Sequence, residues 1–341
     1  MCLLKILYLL AIVTSFTNAS FWDSITRLTT NNENQGQFDV SEFNLVEDKL
    51  IEDLKLHAKY AAAAYCPIDK VMQWSCGNRC ESGLNVTSYF ISPESHVAGY
   101  VGYNPDRRKM VISFRGTSNI KNWIHDVQFL PIDFQYPHQG ASYSLPIKVH
   151  GGFFRAYESI RDQMREAIKL LGSILAAEFQ EYELIITGHS LGAAVAVFSA
   201  MDIAQNYMTE EKQISFKEGY AIDPSKMYIH TYGGPRVGNS GFASLVYNTL
   251  SSSKDGSNLV RVTSKSDPVP HFPPTILGFR HYPQENWIQE EGSTILCQNS
   301  IERGGSMEDQ PCVHGKKIGF DSEDHLKYWD VRFGSSCKDT T

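Results

Sequence analysis

The feature that most constrains this chain is a serine flanked by glycines, Gly188-His189-Ser190-Leu191-Gly192, set between two apolar segments. Residues 184–187 (Leu-Ile-Ile-Thr) read as a short buried strand. Residues 191–204 are small and apolar all round, the pattern of a helix enclosed on every side. A strand turning straight into such a helix brings two backbones close together while the serine sits in a strained turn. Glycines two positions to either side permit that approach. An isolated Gly-x-Ser-x-Gly carries little weight, and it is the strand–helix setting that makes this one a nucleophile elbow. The helix N-terminus also aims its N–H groups at any negative charge developing beside the serine.

The surrounding order of elements agrees. Residues 97–103 and 109–114, joined through Asn104-Pro105-Asp106, resemble a hairpin. Tyr157, Ile160, Met164, Ile168, Leu171 and Ile174 form one stripe of a long amphipathic helix, with Arg161, Asp162, Arg165 and Glu166 opposite. Further strands are expected at 227–231 and 259–263. Strand alternating with helix is the order of a mostly parallel central sheet with helices on both faces, here a single-domain α/β-hydrolase. No internal repeat or domain linker interrupts residues 45–341.

A serine hydroxyl needs a histidine to take its proton and an acid to orient that histidine, and in this fold the chain order is Ser, acid, His. Asp267 lies just past the expected strand 259–263, whereas Asp255 precedes it and competes poorly. Four histidines follow: His271, His281, His314 and His325. His271 is very near the acid, in a Pro-rich setting suggesting a pocket or structural role. His325 lies where a last return over the sheet would bring it to the serine, which makes it the leading candidate on topology. For the oxyanion, one donor is expected from the N–H of Leu191 and another from the loop Phe114-Arg115-Gly116-Thr117-Ser118, with Thr117 offering both N–H and hydroxyl.

Directly after that loop, Ile120, Trp123, Ile124 and Val127 occupy one face of a two-turn helix. On periodicity alone an ordinary core-packed surface helix is the simpler account. Its place beside an oxyanion loop admits a second, a lid able to turn its apolar face to oil.

The N-terminus bears on location. Residues 1–19 have a short basic start, an apolar run too short to cross a bilayer, and Thr17-Asn18-Ala19 before Ser20, as in a cleaved secretory signal. Residues 20–44 read as a polar arm or pro-segment. Past Cys2, six cysteines remain, Cys66, Cys76, Cys80, Cys297, Cys312 and Cys337. In a secreted chain that number suggests three disulfides, with connectivity left open by spacing. No second ligand pair supports zinc at Cys76-x-x-x-Cys80, and no metal or cofactor is expected. Asn85-Val86-Thr87 is a glycosylation acceptor. A net charge of −7 without a run of basic residues disfavours nucleic acid. No transmembrane segment is expected after the signal.

These residues taken together closely resemble the fungal class 3 lipases. The resemblance is carried by Gly188-His189-Ser190-Leu191-Gly192-Ala193-Ala194, Phe114-Arg115-Gly116-Thr117 with Asn122-Trp123, Val149-His150-Gly151-Gly152-Phe153, Gly233-Gly234-Pro235-Arg236-Val237-Gly238-Asn239 and Asp267-Pro268-Val269-Pro270-His271. The cysteine-rich stretch 66–80 and the tail His325-Leu326-Lys327-Tyr328-Trp329 look most like the secreted yeast triacylglycerol lipases. The resemblance implies Ser190 as nucleophile, Asp267 as acid, His325 as base, Thr117 and Leu191 as oxyanion donors, and residues 118–127 as a lid. It also implies disulfides Cys66–Cys337, Cys76–Cys80 and Cys297–Cys312. The implied protein is a secreted monomer cleaving acylglycerol esters at a lipid–water interface. Rivals are a carboxylesterase or feruloyl esterase, a phospholipase of the same fold, and a catalytically silent binding protein on this scaffold, the last disfavoured because all three triad positions are filled. Two departures stand out: Ala193 where many relatives carry Gly, and Gly233-Gly234 where relatives often carry Gln. His125 is also unusual in a lid.

Overall fold

The computed structural model describes residues 44–117, 129–135, 146–175, 178, 181–207, 214–217, 220–253, 256–297, 312, 322–334 and 337. The expected signal, nearly all of the expected arm, the expected lid residues Ile120, Trp123, Ile124 and Val127, and also Asp255 and His314, lie outside them.

Nine described strands form one sheet, labelled here β1 (Asn44–Leu45), β2 (Asn85–Ser92), β3 (Val97–Asn104), β4 (Lys109–Arg115), β5 (Glu183–His189), β6 (Met227–Tyr232), β7 (Leu259–Ser264), β8 (Glu285–Ile288) and β9 (Thr294–Cys297). Their spatial order is β1-β9-β8-β7-β6-β5-β4-β3-β2. The middle of the sheet, β4 through β8, is parallel throughout. Antiparallel pairs close both margins, β3–β4 and β2–β3 on one side, β8–β9 and β9–β1 on the other.

Both faces are covered. Side chains alternate along β5, so Leu184 and Ile186 join one core cluster and Ile185 another on the opposite face. The first cluster takes the stripe Ile160, Met164, Ile168 and Leu171 of α2 (Gly151–Leu175), together with α3 (Leu191–Tyr207) and α4 (Ser240–Leu250). The opposite face takes α1 (Asp48–Ala63), whose Leu54, Ala58 and Ala61 pack on Tyr232, Val260 and Val262. Fully burying one residue such as Ile186 contributes about 2 kcal/mol. Every residue of α3 from Leu191 to Ala204 is buried, as its apolar composition requires.

Helix α2 carries the amphipathic stripe expected from the sequence and extends ahead of its first residue, Tyr157. The helix begins at Gly151, where the His150 ring stands in for a capping side chain: its Nδ1 accepts from the N–H of Phe153 at 3.1 Å. Strands β1, β2, β8 and β9 are additions to the sequence reading. Three disulfides join Cys66 to Cys337, Cys76 to Cys80 and Cys297 to Cys312. No described helix is long and apolar enough to cross a membrane.

Candidate active site

Parallel strands end together, so loops after β4, β5 and β7 meet at one edge of the sheet. Phe114 pairs with Gly188 and Tyr232 with His189, which brings the segment after β4 and the main chain after β6 alongside the elbow. Ser190 sits there with φ +60°, the left-handed region that ordinary residues avoid. Its N–H donates to the Tyr232 carbonyl at 3.0 Å, and its carbonyl accepts from Ala193 N–H at 2.9 Å. The flanking glycines are sterically required. A Cβ on Gly188 would stand 2.2 Å from the Gly192 carbonyl oxygen, and one on Gly192 would stand 2.3 Å from the Phe114 oxygen.

Asp267 follows β7 and is wholly buried. Both its oxygens lie 2.9 Å from Nδ1 of His325. The carboxylate also accepts from the N–H of Val269 at 2.8 Å and from the hydroxyl of Tyr328 at 2.5 Å. Burial, and then the Asp267 charge, push the Tyr328 phenol well above its ordinary range, so it remains a donor. His325 lies on the one-turn helix α5 (Ser322–Leu326), fixed from below by Phe333 N–H donating to the Leu326 carbonyl at 2.8 Å. Its Nδ1 faces an acceptor that needs a donor, which leaves Nε2 as the nitrogen able to receive a proton. Ser190 Oγ and His325 Nε2 are both buried, and neither has a hydrogen-bond partner among the described residues. Such a bond commonly tightens once substrate is bound.

On the oxyanion side, a Cβ on Gly116 would meet Leu191 N at 3.0 Å and the His189 carbonyl oxygen at 2.7 Å. The loop carrying Thr117, which is half-buried, therefore lies directly against the elbow that carries Leu191. His271 and His281 have other hydrogen-bond partners. His281 Nε2 donates to the Pro270 carbonyl at 2.9 Å, and the His271 carbonyl accepts from Arg236. Asn85 is exposed at the start of β2. Among the described residues no group of three or more His, Cys, Asp or Glu could hold a metal ion.

Several contributors escaped sequence reasoning. Tyr328 was visible as part of the tail but carried no role. Gly233 (φ +54°) lies against the Asp267–His325 pair, where a Cβ would meet Tyr328 Oη at 2.7 Å, Asp267 Oδ2 at 2.8 Å and His325 Nδ1 at 3.0 Å. Tyr65 and His189 bond to each other across 124 positions. The doubled glycine after an apolar strand signalled Gly233, whereas nothing local signals Tyr65.

A parallel sheet with a serine elbow, an acid after a later strand and a histidine on the final return define an α/β-hydrolase. Residues 111–277 match the family described as Lipase (class 3). A lipase from Rhizopus niveus is 32% identical over 290 residues, covering 84% of this chain. A secreted mono- and diacylglycerol lipase 1 from Fusarium solani is 28% identical, covering 82% of this chain and 76% of the relative. A solved triacylglycerol lipase, described as having a serine protease triad as its catalytic centre, superposes with TM-score 0.68 at 26% identity, covering 87% of this chain and 100% of that one. The chain belongs to the fungal class 3 lipase family. It spans 65% of the length of the Rhizopus relative.

Proposed function

We propose that this protein is a secreted lipase that hydrolyses the carboxylic ester bonds of acylglycerols through an acyl-Ser190 intermediate. The observation that carries the reading is the buried His325–Asp267 pair, at 2.9 Å, beside a serine strained to φ +60°. In this reading Ser190 Oγ attacks the ester carbonyl carbon while His325 Nε2 takes its proton. The C=O electron pair moves onto oxygen, which the N–H groups of Leu191 and Thr117 receive. Collapse breaks the C–O bond, the alcohol leaves with the proton from His325, and water repeats the sequence to release the fatty acid. Asp267 holds the ring and stabilises the imidazolium, and the chemistry needs no cofactor.

Secretion is supported by the N-terminal pattern of residues 1–19, by the three disulfides and by the secreted relative named above. Residues 20–44 are the proposed arm, 45–341 the catalytic domain, 118–127 the lid and Asn85 the glycan acceptor. The test is Ser190→Ala, which should abolish turnover of a p-nitrophenyl ester and of emulsified acylglycerol in protein that melts normally. Full activity in that variant would sink the assignment. A rate that jumps as short-chain ester passes its solubility limit is the expected mark of a lipase, and plain saturation there would favour an esterase.

A further inference from the structure

Tyr65 and His189 are buried and carry no role in the reaction as written, yet together they touch both halves of the site. Tyr65, just beyond α1, has its hydroxyl 3.2 Å from the N–H of Gly116 and 2.8 Å from Nδ1 of His189. His189 Nε2 lies 2.8 Å from the main-chain oxygen of His325. A carbonyl can only accept, so Nε2 carries the ring proton, and Nδ1 of the neutral ring accepts from the tyrosine. A second acceptor for that hydroxyl among the described residues, the His189 carbonyl, is farther at 3.3 Å.

The donors therefore all run one way: Gly116 N–H to Tyr65 Oη, Tyr65 O–H to His189 Nδ1, His189 Nε2–H to the His325 carbonyl. Packing fixes the ring in that pose. His189 stacks on Phe333 at 4.0 Å with planes 7° apart and meets Tyr65 edge-on at 5.7 Å. Gly116 immediately precedes Thr117, so one end of the chain holds the oxyanion loop and the other holds the main chain of the base.

We propose that Tyr65 and His189 are positioning residues for ester hydrolysis, forming a hydrogen-bonded relay through the elbow that keeps the Gly116–Thr117 loop in register with His325. The inference rests on the triad reading above. Its polarity requires a neutral His189, and burial followed by the neighbouring His325 hold that ring well below the ordinary imidazole range. A neutral ring also leaves His325, 4.4 Å away, able to take a proton without a like charge beside it.

The experiment compares Tyr65→Phe, His189→Phe and the double variant for kcat, KM, phosphonate inactivation rate and Tm. Each single change should lower kcat and phosphonate inactivation roughly tenfold with KM within about twofold of wild type. The double variant should be no worse than the weaker single, since one broken link opens the whole chain. Unchanged kcat in Tyr65→Phe, losses that multiply in the double, or a change confined to Tm would overturn the relay. Should His189→Phe not fold, the Tyr65→Phe kcat–KM split decides alone. Ser190→Ala in the same assay reads the triad separately: turnover surviving it overturns both readings, while turnover lost there and kept in Tyr65→Phe overturns the relay only.

Discussion

The hydroxyl of Tyr328 lies 2.5 Å from Oδ2 of Asp267, an oxygen that is also 2.9 Å from His325 Nδ1. A tyrosine three residues past His325 thus adds a donor to the Asp267 carboxylate. Tyr328→Phe leaves the ring in the core but removes one of the donors to a fully buried carboxylate. A bond of that kind contributes about 2 kcal/mol. The expected outcome is a kcat reduced roughly tenfold or more with a lowered Tm, measured by ester kinetics and a thermal melt. Wild-type values in both would show that Val269 N–H and His325 suffice for Asp267.

Gly233→Ala should be far more damaging than a one-carbon change suggests. The residue has φ +54°, and the new methyl would press on Tyr328, Asp267 and His325 at once. Displacing an acid–base pair by a fraction of an ångström to one ångström costs roughly a hundredfold in rate. Steady-state kinetics on folded Gly233→Ala are the check, and a loss below about fivefold would mean that the pair tolerates displacement.

The two departures from the family pattern touch each other. A Cβ on Gly234 would lie 2.9 Å from the Cβ of Ala193, so the larger residue in the elbow helix is matched by the smaller one after β6. Gly234→Ala alone should cost about 1–2 kcal/mol through overpacking, and Ala193→Gly should restore most of it. Chemical denaturation of the two singles and the double closes the cycle, and simple additivity would separate the positions.

Acid should weaken the fold at the opposite face of the sheet. His57 on α1 and His230 on β6 meet Nδ1 to Nδ1 at 2.7 Å, both buried. Burial, opposed by the Ser257 carbonyl and aided by Lys109, brings His230 down to about 4, and burial with His230 brings His57 well below its usual value. Both folded values lie below the unfolded one, so the folded state binds fewer protons and stability rises with pH. The contribution is complete above about 6.5 and is lost as pH falls towards 4; for His230 it is on the order of 3 kcal/mol. Thermal melts from pH 8 to 4 should show this slope, and His57→Asn/His230→Asn should flatten it. A slope unaltered by the double substitution would assign acid sensitivity to other groups.

Legibility in the sequence followed how local the signal is. Strands β4 to β7 and helix α3 were readable because their burial is apolar and continuous, and Asp267 and His325 could be named as candidates because chain order is fixed by the sheet. Strand β8 was not readable, since Glu285 and Asn286 are polar yet buried. Glu285 is accommodated by Thr263 and Arg261 on β7, partners that no window of sequence contains. The start of α2 has the same character, since a histidine ring takes the place of an ordinary capping side chain. Tyr65 and His189 acquire meaning from each other across the fold, and propensity carries no information about such a pair.

The bridge from Cys66 to Cys337 spans 271 positions and leaves α1 on one side and His325 within the loop it closes. Topologically the chain between those cysteines is a ring. A protease cutting once between those cysteines would therefore release no fragment: both ends stay tethered, and a nicked molecule would migrate as two pieces only after reduction. Protein cleaved in this way has its severed halves at an effective concentration set by the tether rather than by dilution, so damage of a kind that disperses an open chain leaves this one able to reassemble.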